Sequence, residues 1–257
     1  NSELLGRFDT NDAYSVIARF DSDIGVDLAT LRANGQANLS PGDTQARYDE
    51  LQLDENGWPI HLPQDITGAE GRMSSIVLWY PEEVASIANS IYSGKFYLIA
   101  EGEGTLSLKQ TGTSVDRVNL SKIQVDGPTV IPFDYTPDGN FVELTLHRSD
   151  PNDTGNYLRN IKIIHEDHMP LYEAGEIFTP EFVELHQDHR VVRWMAAMET
   201  NHNPEFAAGN FDDRPGLDFY TFNLGTGPTE PNGVPIDAIV AFSNKTGTDP
   251  WINIPVN

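Results

Sequence analysis

The stretch VVRWMAAMETNHNP, residues 191–204, opens on Val191, Val192, Trp194 and Met195 and passes within a few positions into Glu199, Thr200, Asn201, His202 and Asn203. Side chains of the first kind fill the wall of a sheet. Those of the second kind offer hydrogen-bond donors and acceptors, the chemistry that reads a ligand rich in hydroxyl groups. A strand that ends in such a cluster suits a barrel-type parallel α/β unit, where ligand sites gather in the loops after the carboxyl ends of the strands. On this reading Val191 to Met195 lie in the barrel wall, and Glu199, Asn201 and His202 emerge at its mouth. Asn253, near the end of PWINIPVN, reaches the same rim.

A sugar also presents an apolar face, which an aromatic ring covers, and Trp251 or Trp194 is the candidate ring. Both are flanked by apolar neighbours, and the core is the first reading for each. Arg193 sits inside the apolar run, where a charge requires a partner, and Asp212, Asp213 and Glu199 are the carboxylates within reach. It is expected either in a buried ion pair or at the ligand. Asp213 and Arg214, in DDRPG, either cap a loop or join the rim. Glu199 has the chemistry of a general acid or base, but no second carboxylate is assigned to work with it.

Metal ligands are read in two other places. HEDH, His165 to His168, lacks the HExxH spacing, and in an extended segment its neighbours diverge to opposite faces. Calcium is the ion these residues suit: Asp21, Asp23 and Asp27 in DSDIGVD, or Asp150, Asn152 and Asp153 in SDPNDTGN, offer closely spaced oxygens. Asx turns account for both clusters without an ion. No GxSxG, phosphate-binding loop or cysteine is present, so serine-triad, nucleotide and thiol chemistry have no support.

Periodicity predicts the elements that must position these residues. Residues 1–68 are rich in turn formers and read as an extended leader packing on the rest of the chain. From 69 to 168, short β-branched and aromatic runs such as GKFYLIAEGEGTLSLKQ, TVIPFDY and FVELTLHR are separated by Gly, Pro, Asp and Asn. In FVELTLHR the alternation turns Val142, Leu144 and Leu146 inward and Glu143, Thr145 and His147 outward. The glycines of AEGEGTL read as a hairpin bend. This segment is expected to form an antiparallel β-sandwich of the jelly-roll kind, with one helix over PEEVASIANSIYSG. From 169 to 257 the pattern becomes helix, strand, helix, strand: TPEFVELHQD with Pro180 at its first turn, RVVRWMAA as a buried strand, GVPIDAIVAFSNKTG ending at Gly247, and PWINIP as a second buried strand. In the second helix Val234, Ile236, Ile239, Val240 and Phe242 fall close to one face. The fold class is therefore mostly β, an antiparallel sandwich followed by the beginning of a parallel α/β unit.

Sixteen Lys and Arg against 39 Asp and Glu give a net charge of −23, which disfavours nucleic acid and anionic membrane surfaces as partners. Few lysines and strong acidity suit a salty or calcium-containing exterior. Beginning at Asn1, the chain reads as processed or excised.

Taken in order, LDENGWPIHLP, GKFYLIAEGEGTLSL, NYLRNIKII, FTPEFVELHQDHRVVRWMAAMETN, FDDRPGLDFY and GVPIDAIVAFSNKTGTDPWINIP resemble a family of secreted bacterial and fungal carbohydrate-active proteins. The resemblance runs from about Asp49 to Asn257. It departs at Ala196 and Ala197, where the family usually has an aspartate–tryptophan pair, and at Asp212, where it has a tryptophan. It implies an N-terminal β-sandwich leading into a barrel similar to the retaining glycoside hydrolases. In such barrels the acid/base follows the fourth strand and the nucleophile the seventh, so the natural protein is expected to continue beyond Asn257. The expected function is that of an extracellular protein acting on or binding a polysaccharide. The alternative is a non-catalytic glycan-binding or structural surface or particle module.

Overall fold

A computed structural model describes residues 25–26, 54–56, 58–62, 73–78, 93–112, 117–138, 140, 142–178, 180–195, 198, 216–218 and 234–253. The described residues fall into two compact units, one within Asp23–Glu166 and one within Asp167–Asn257. The expected helix over residues 81–94 lies outside the described residues except for its last two positions, which belong to Ser93 and the strand after it.

The first unit is built of antiparallel sheets. Strands β1 (Gly25–Val26), β2 (Met73–Leu78), β3 (Gly94–Glu101), β4 (Glu103–Gln110), β5 (Asn119–Asp126), β6 (Thr129–Tyr135), β7 (Val142–Ser149) and β8 (Arg159–His165) form a five-stranded sheet ordered β1-β2-β7-β4-β5 and a three-stranded sheet ordered β6-β3-β8. Alternation sets the register of both. In the larger sheet Leu106 stands opposite Leu146 and Leu108 opposite Leu144, and all four are buried. In the smaller one Phe96 faces Phe133 on one side and His165 on the other, with ring centroids 5.7 and 4.9 Å away. Pro132, which has no N–H to give a second neighbour, sits in edge strand β6. Thr145, which alternation turns outward, is buried: β7 is an inner strand, and the Thr145 hydroxyl is satisfied by Glu143 Oε1 at 3.1 Å.

The glycine bend after β3 is not a hairpin. Strands β3 and β4 belong to different sheets, so Gly102 carries the chain from one to the other. Its φ of +95° favours glycine, and a Cβ there would lie 1.9 Å from the carbonyl oxygen of Tyr157. The close approach is used: Glu103 N–H donates to Asn156 O, Asp150 N–H donates to Glu103 O, and Asn152 Nδ2 donates to the Glu103 carboxylate.

That contact ties the bend to the loop between β7 and β8, which Asp150 organises. Its carboxylate accepts from Thr154 N, Thr154 Oγ1 and Gly155 N at 2.8, 3.0 and 2.7 Å, the turn-forming role that the spacing of SDPNDTGN allows. Burial alone raises the Asp150 pKa, but these hydrogen bonds to the ionised form outweigh it and hold the carboxyl below its ordinary range. Beside it, Ser149 Oγ accepts from Leu158 N and donates to Pro59 O. Tyr157 donates its hydroxyl to Asp54 Oδ2 at 2.8 Å, while Asp54 Oδ1 accepts from the backbone of Asn56 and Trp58. Burial first, and then the Asp54 carboxylate, push the Tyr157 hydroxyl up from its usual pKa. Trp58 and Leu62 are thereby held in the core. HEDH is not extended: β8 ends at His165, and Glu166–His168 form a 3-10 turn.

The second unit contains α1 (Met169–Glu173), α2 (Pro180–His186), β9 (Val191–Arg193), α3 (Ile236–Thr246) and β10 (Asp249–Trp251). Helix α3 has Asp237 in its first turn and Lys245 in its last, each favourable to the helix dipole, and Gly247 at φ 73° closes it. Its buried face, Ala238, Ile239 and Phe242, packs with Phe178, Trp194, Met198 and Val234. Val240 does not share that face and is exposed. Phe242 is the hub: its ring lies 5.1–5.3 Å from Phe182, Phe178 and Trp194. No helix among the described residues is long and apolar enough to cross a membrane.

Two measurements check this architecture. Because the Asp150 pKa is lower in the folded state, its contribution is present above the ordinary carboxylate value of 3.8 and is lost as pH falls through the folded-state value. Asp150→Asn, which turns an N–H toward donors, is expected to cost about 1–3 kcal/mol at neutral pH in urea titrations. The gap from the native chain should narrow below pH 3.8. Phe242→Ala is expected to cost about 3–5 kcal/mol through the cavity it leaves, measured the same way.

Candidate functional site

Parallel strands need a crossover between them, and α3 supplies it for β9 and β10. The pairing is parallel, with Asp249 opposite Val191, Pro250 opposite Val192 and Trp251 opposite Arg193. Trp194 N–H donates to Trp251 O at 3.1 Å just past the last pair. The carboxyl ends of both strands therefore lie side by side, with Arg193 and Trp251 at one level. Asn253 comes two residues later.

The strands are less buried than their composition predicts. Val191 is 46% exposed and Trp251 54%, whereas Trp194 is 2% exposed. Among the described residues of these strands and the positions just after them, Val192, Trp194 and Ile252 turn to the core cluster, since a two-stranded sheet with one helix-bearing side has one covered face. The buried-strand expectation for RVVRWMAA and PWINIP is thus corrected to a pair of three-residue strands with an open face. Of the two tryptophans, Trp194 is core and Trp251 is not.

Arg193 is exposed, which corrects the expectation of a buried charge; the carboxylates named for it, Glu199, Asp212 and Asp213, lie outside the described residues. Its guanidinium lies over the Trp251 ring, 4.9 Å from the centroid, an attraction of about 0.5–1 kcal/mol at an exposed position. Arg193 Nη2 also donates to Met195 Sδ at 2.8 Å. Met195 is not singled out by its sequence context as a site residue. The signal available is its position two residues from Arg193, the spacing that returns a side chain to one side of an extended chain. Asn253 is partly buried, and its Oδ1 has no hydrogen-bond partner among the described residues.

Chemically the arrangement offers an indole with one guanidinium against it, further guanidinium N–H donors, and an amide nearby. It can stack against an apolar ring face and donate to hydroxyls. The described residues bring no pair of carboxyl groups to this rim. Glu199, Asn201, His202, Asp213 and Arg214 lie outside the described residues, as do Asp21, Asp23 and Asp27. Among the described residues no group of three or more His, Asp or Glu is placed to hold a metal ion.

No family model matches the chain, and no curated protein matches it. Among solved structures it is similar to two variants of the carbohydrate-binding module CBM29-2, from work on ligand recognition by family 29 modules, and to a further variant of a family 29 module. Each is 17% identical over 38% of this chain, with a TM-score of 0.21. The match spans 57% of the first of those chains and 61% of the other two.

Proposed function

We propose that this chain binds a glycan at the carboxyl ends of β9 and β10, as the N-terminal portion of an extracellular, glycoside-hydrolase-like protein in which a β-sandwich precedes the opening of a barrel. The observation that carries the reading is the Arg193–Trp251 pair: a half-exposed indole, fixed by parallel pairing at the strand ends and partnered by a guanidinium. A half-exposed indole offers a flat apolar surface, and a sugar ring supplies the C–H face that stacks on one while its hydroxyls accept from arginine. Turnover would need two carboxyl groups flanking the scissile bond, supplied by strands other than β9 and β10. Binding without turnover is the second reading, and the open stacking surface suits it as well.

Affinity electrophoresis through gels containing dissolved polysaccharides, backed by calorimetry with oligosaccharides, tests the proposal. Trp251→Ala is expected to weaken binding about tenfold or more, in line with removal of a central aromatic anchor, and Arg193→Ala by less. Both variants should keep the native circular dichroism spectrum, since both side chains are exposed. Unchanged binding by Trp251→Ala would place any glycan elsewhere.

A further inference from the structure

The charge around the strand ends narrows the class of glycan. Residues 167–257 carry fourteen Asp and Glu against four basic residues, Arg190, Arg193, Arg214 and Lys245. Of the basic residues described, Arg190 precedes β9 at the amino ends of the strands, beside Asp249, whose N–H donates to Arg190 O. Lys245 is paired with Glu176 at 2.5 Å. That leaves Arg193 as the one described cation at the carboxyl ends, and its guanidinium is already engaged with an indole face and a thioether. A uronate or sulfated chain approaching this rim meets a molecule of net charge −23, whose repulsion acts on every charged sugar along its length, while the one guanidinium among the described residues of the rim attracts at a single point. A neutral chain meets no such field, and the exposed part of the indole and the guanidinium N–H groups are what it needs.

Building on the glycan-binding reading, we propose that the ligand at Arg193 and Trp251 is a neutral polysaccharide, and that stacking on Trp251, with Arg193 acting as a hydrogen-bond donor and not as a counter-ion, selects it. Polyanions bound through arginine lose affinity steeply with salt, whereas stacking on a neutral ring does not.

The full chain is run through gels containing hydroxyethylcellulose, glucomannan or xylan, and in parallel through polygalacturonate, alginate or chondroitin sulfate. Each gel is run with native protein, Trp251→Ala and Arg193→Ala. The expected result is retardation by at least one neutral polymer, lost in Trp251→Ala and changing less than about twofold between about 0.05 M and about 0.5 M salt. No retardation by the anionic polymers is expected. Retardation by anionic polymers alone, abolished by Arg193→Ala and by high salt, would overturn this inference and leave the glycan reading standing. Binding to neither group would remove the glycan reading itself, and this inference with it.

Discussion

Everything proposed for this molecule depends on the parallel register of two three-residue strands. Because Arg193 pairs with Trp251 across β9 and β10, two side chains 58 positions apart in sequence share one edge, and the guanidinium comes over the indole. A shift of one residue would put Val192 or Pro250 in that position and turn either ring or charge toward the opposite face. Strands this short have little pairing energy of their own. Their register is maintained by what lies behind them.

That support is the cluster centred on Phe242. Helix α3 links the strands and presses Ala238, Ile239 and Phe242 against Trp194, Phe178 and Met198, so the first residue after β9 is anchored in the same core as the helix leading to β10. Gly247 stops the helix in a left-handed conformation, and β10 begins two residues later. Core and rim are thus adjacent along the chain: Trp194 is buried where Arg193 is exposed, and Ile252 is packed where Trp251 is not. The antiparallel sheets solve a different problem, that of a chain changing sheets at β3–β4. Gly102 is pressed against the Tyr157 carbonyl, and the Asp150 turn is knit to Glu103, so one small residue and one carboxylate hold that crossing together.

Much of this is legible in the residues, for local reasons. The alternation in FVELTLHR, Pro180 at the start of α2 and Gly247 at the end of α3 each act within a few positions, and each element lies where its pattern places it. Three features are not legible because they depend on distant partners. A glycine bend looks the same whether the next strand joins the same sheet or another. Trp194 and Trp251 have similar apolar neighbours, and only the position of α3 decides which is covered. Nothing near Arg193 in the sequence signals the indole that the pairing across to β10 sets beside it. For the candidate site, the strand-end position of Arg193, Trp251 and Asn253 is readable from the switch to a helix–strand–helix–strand pattern; the chemistry between them is not.

The most direct measurement tracks the indole N–H signals of the four tryptophans by nitrogen-15 correlation spectroscopy while a neutral oligosaccharide is added. Stacking at the strand ends predicts a saturable shift of the Trp251 signal, with those of the buried Trp58 and Trp194 left in place. A Trp251 signal that stays fixed while another site responds would contradict it.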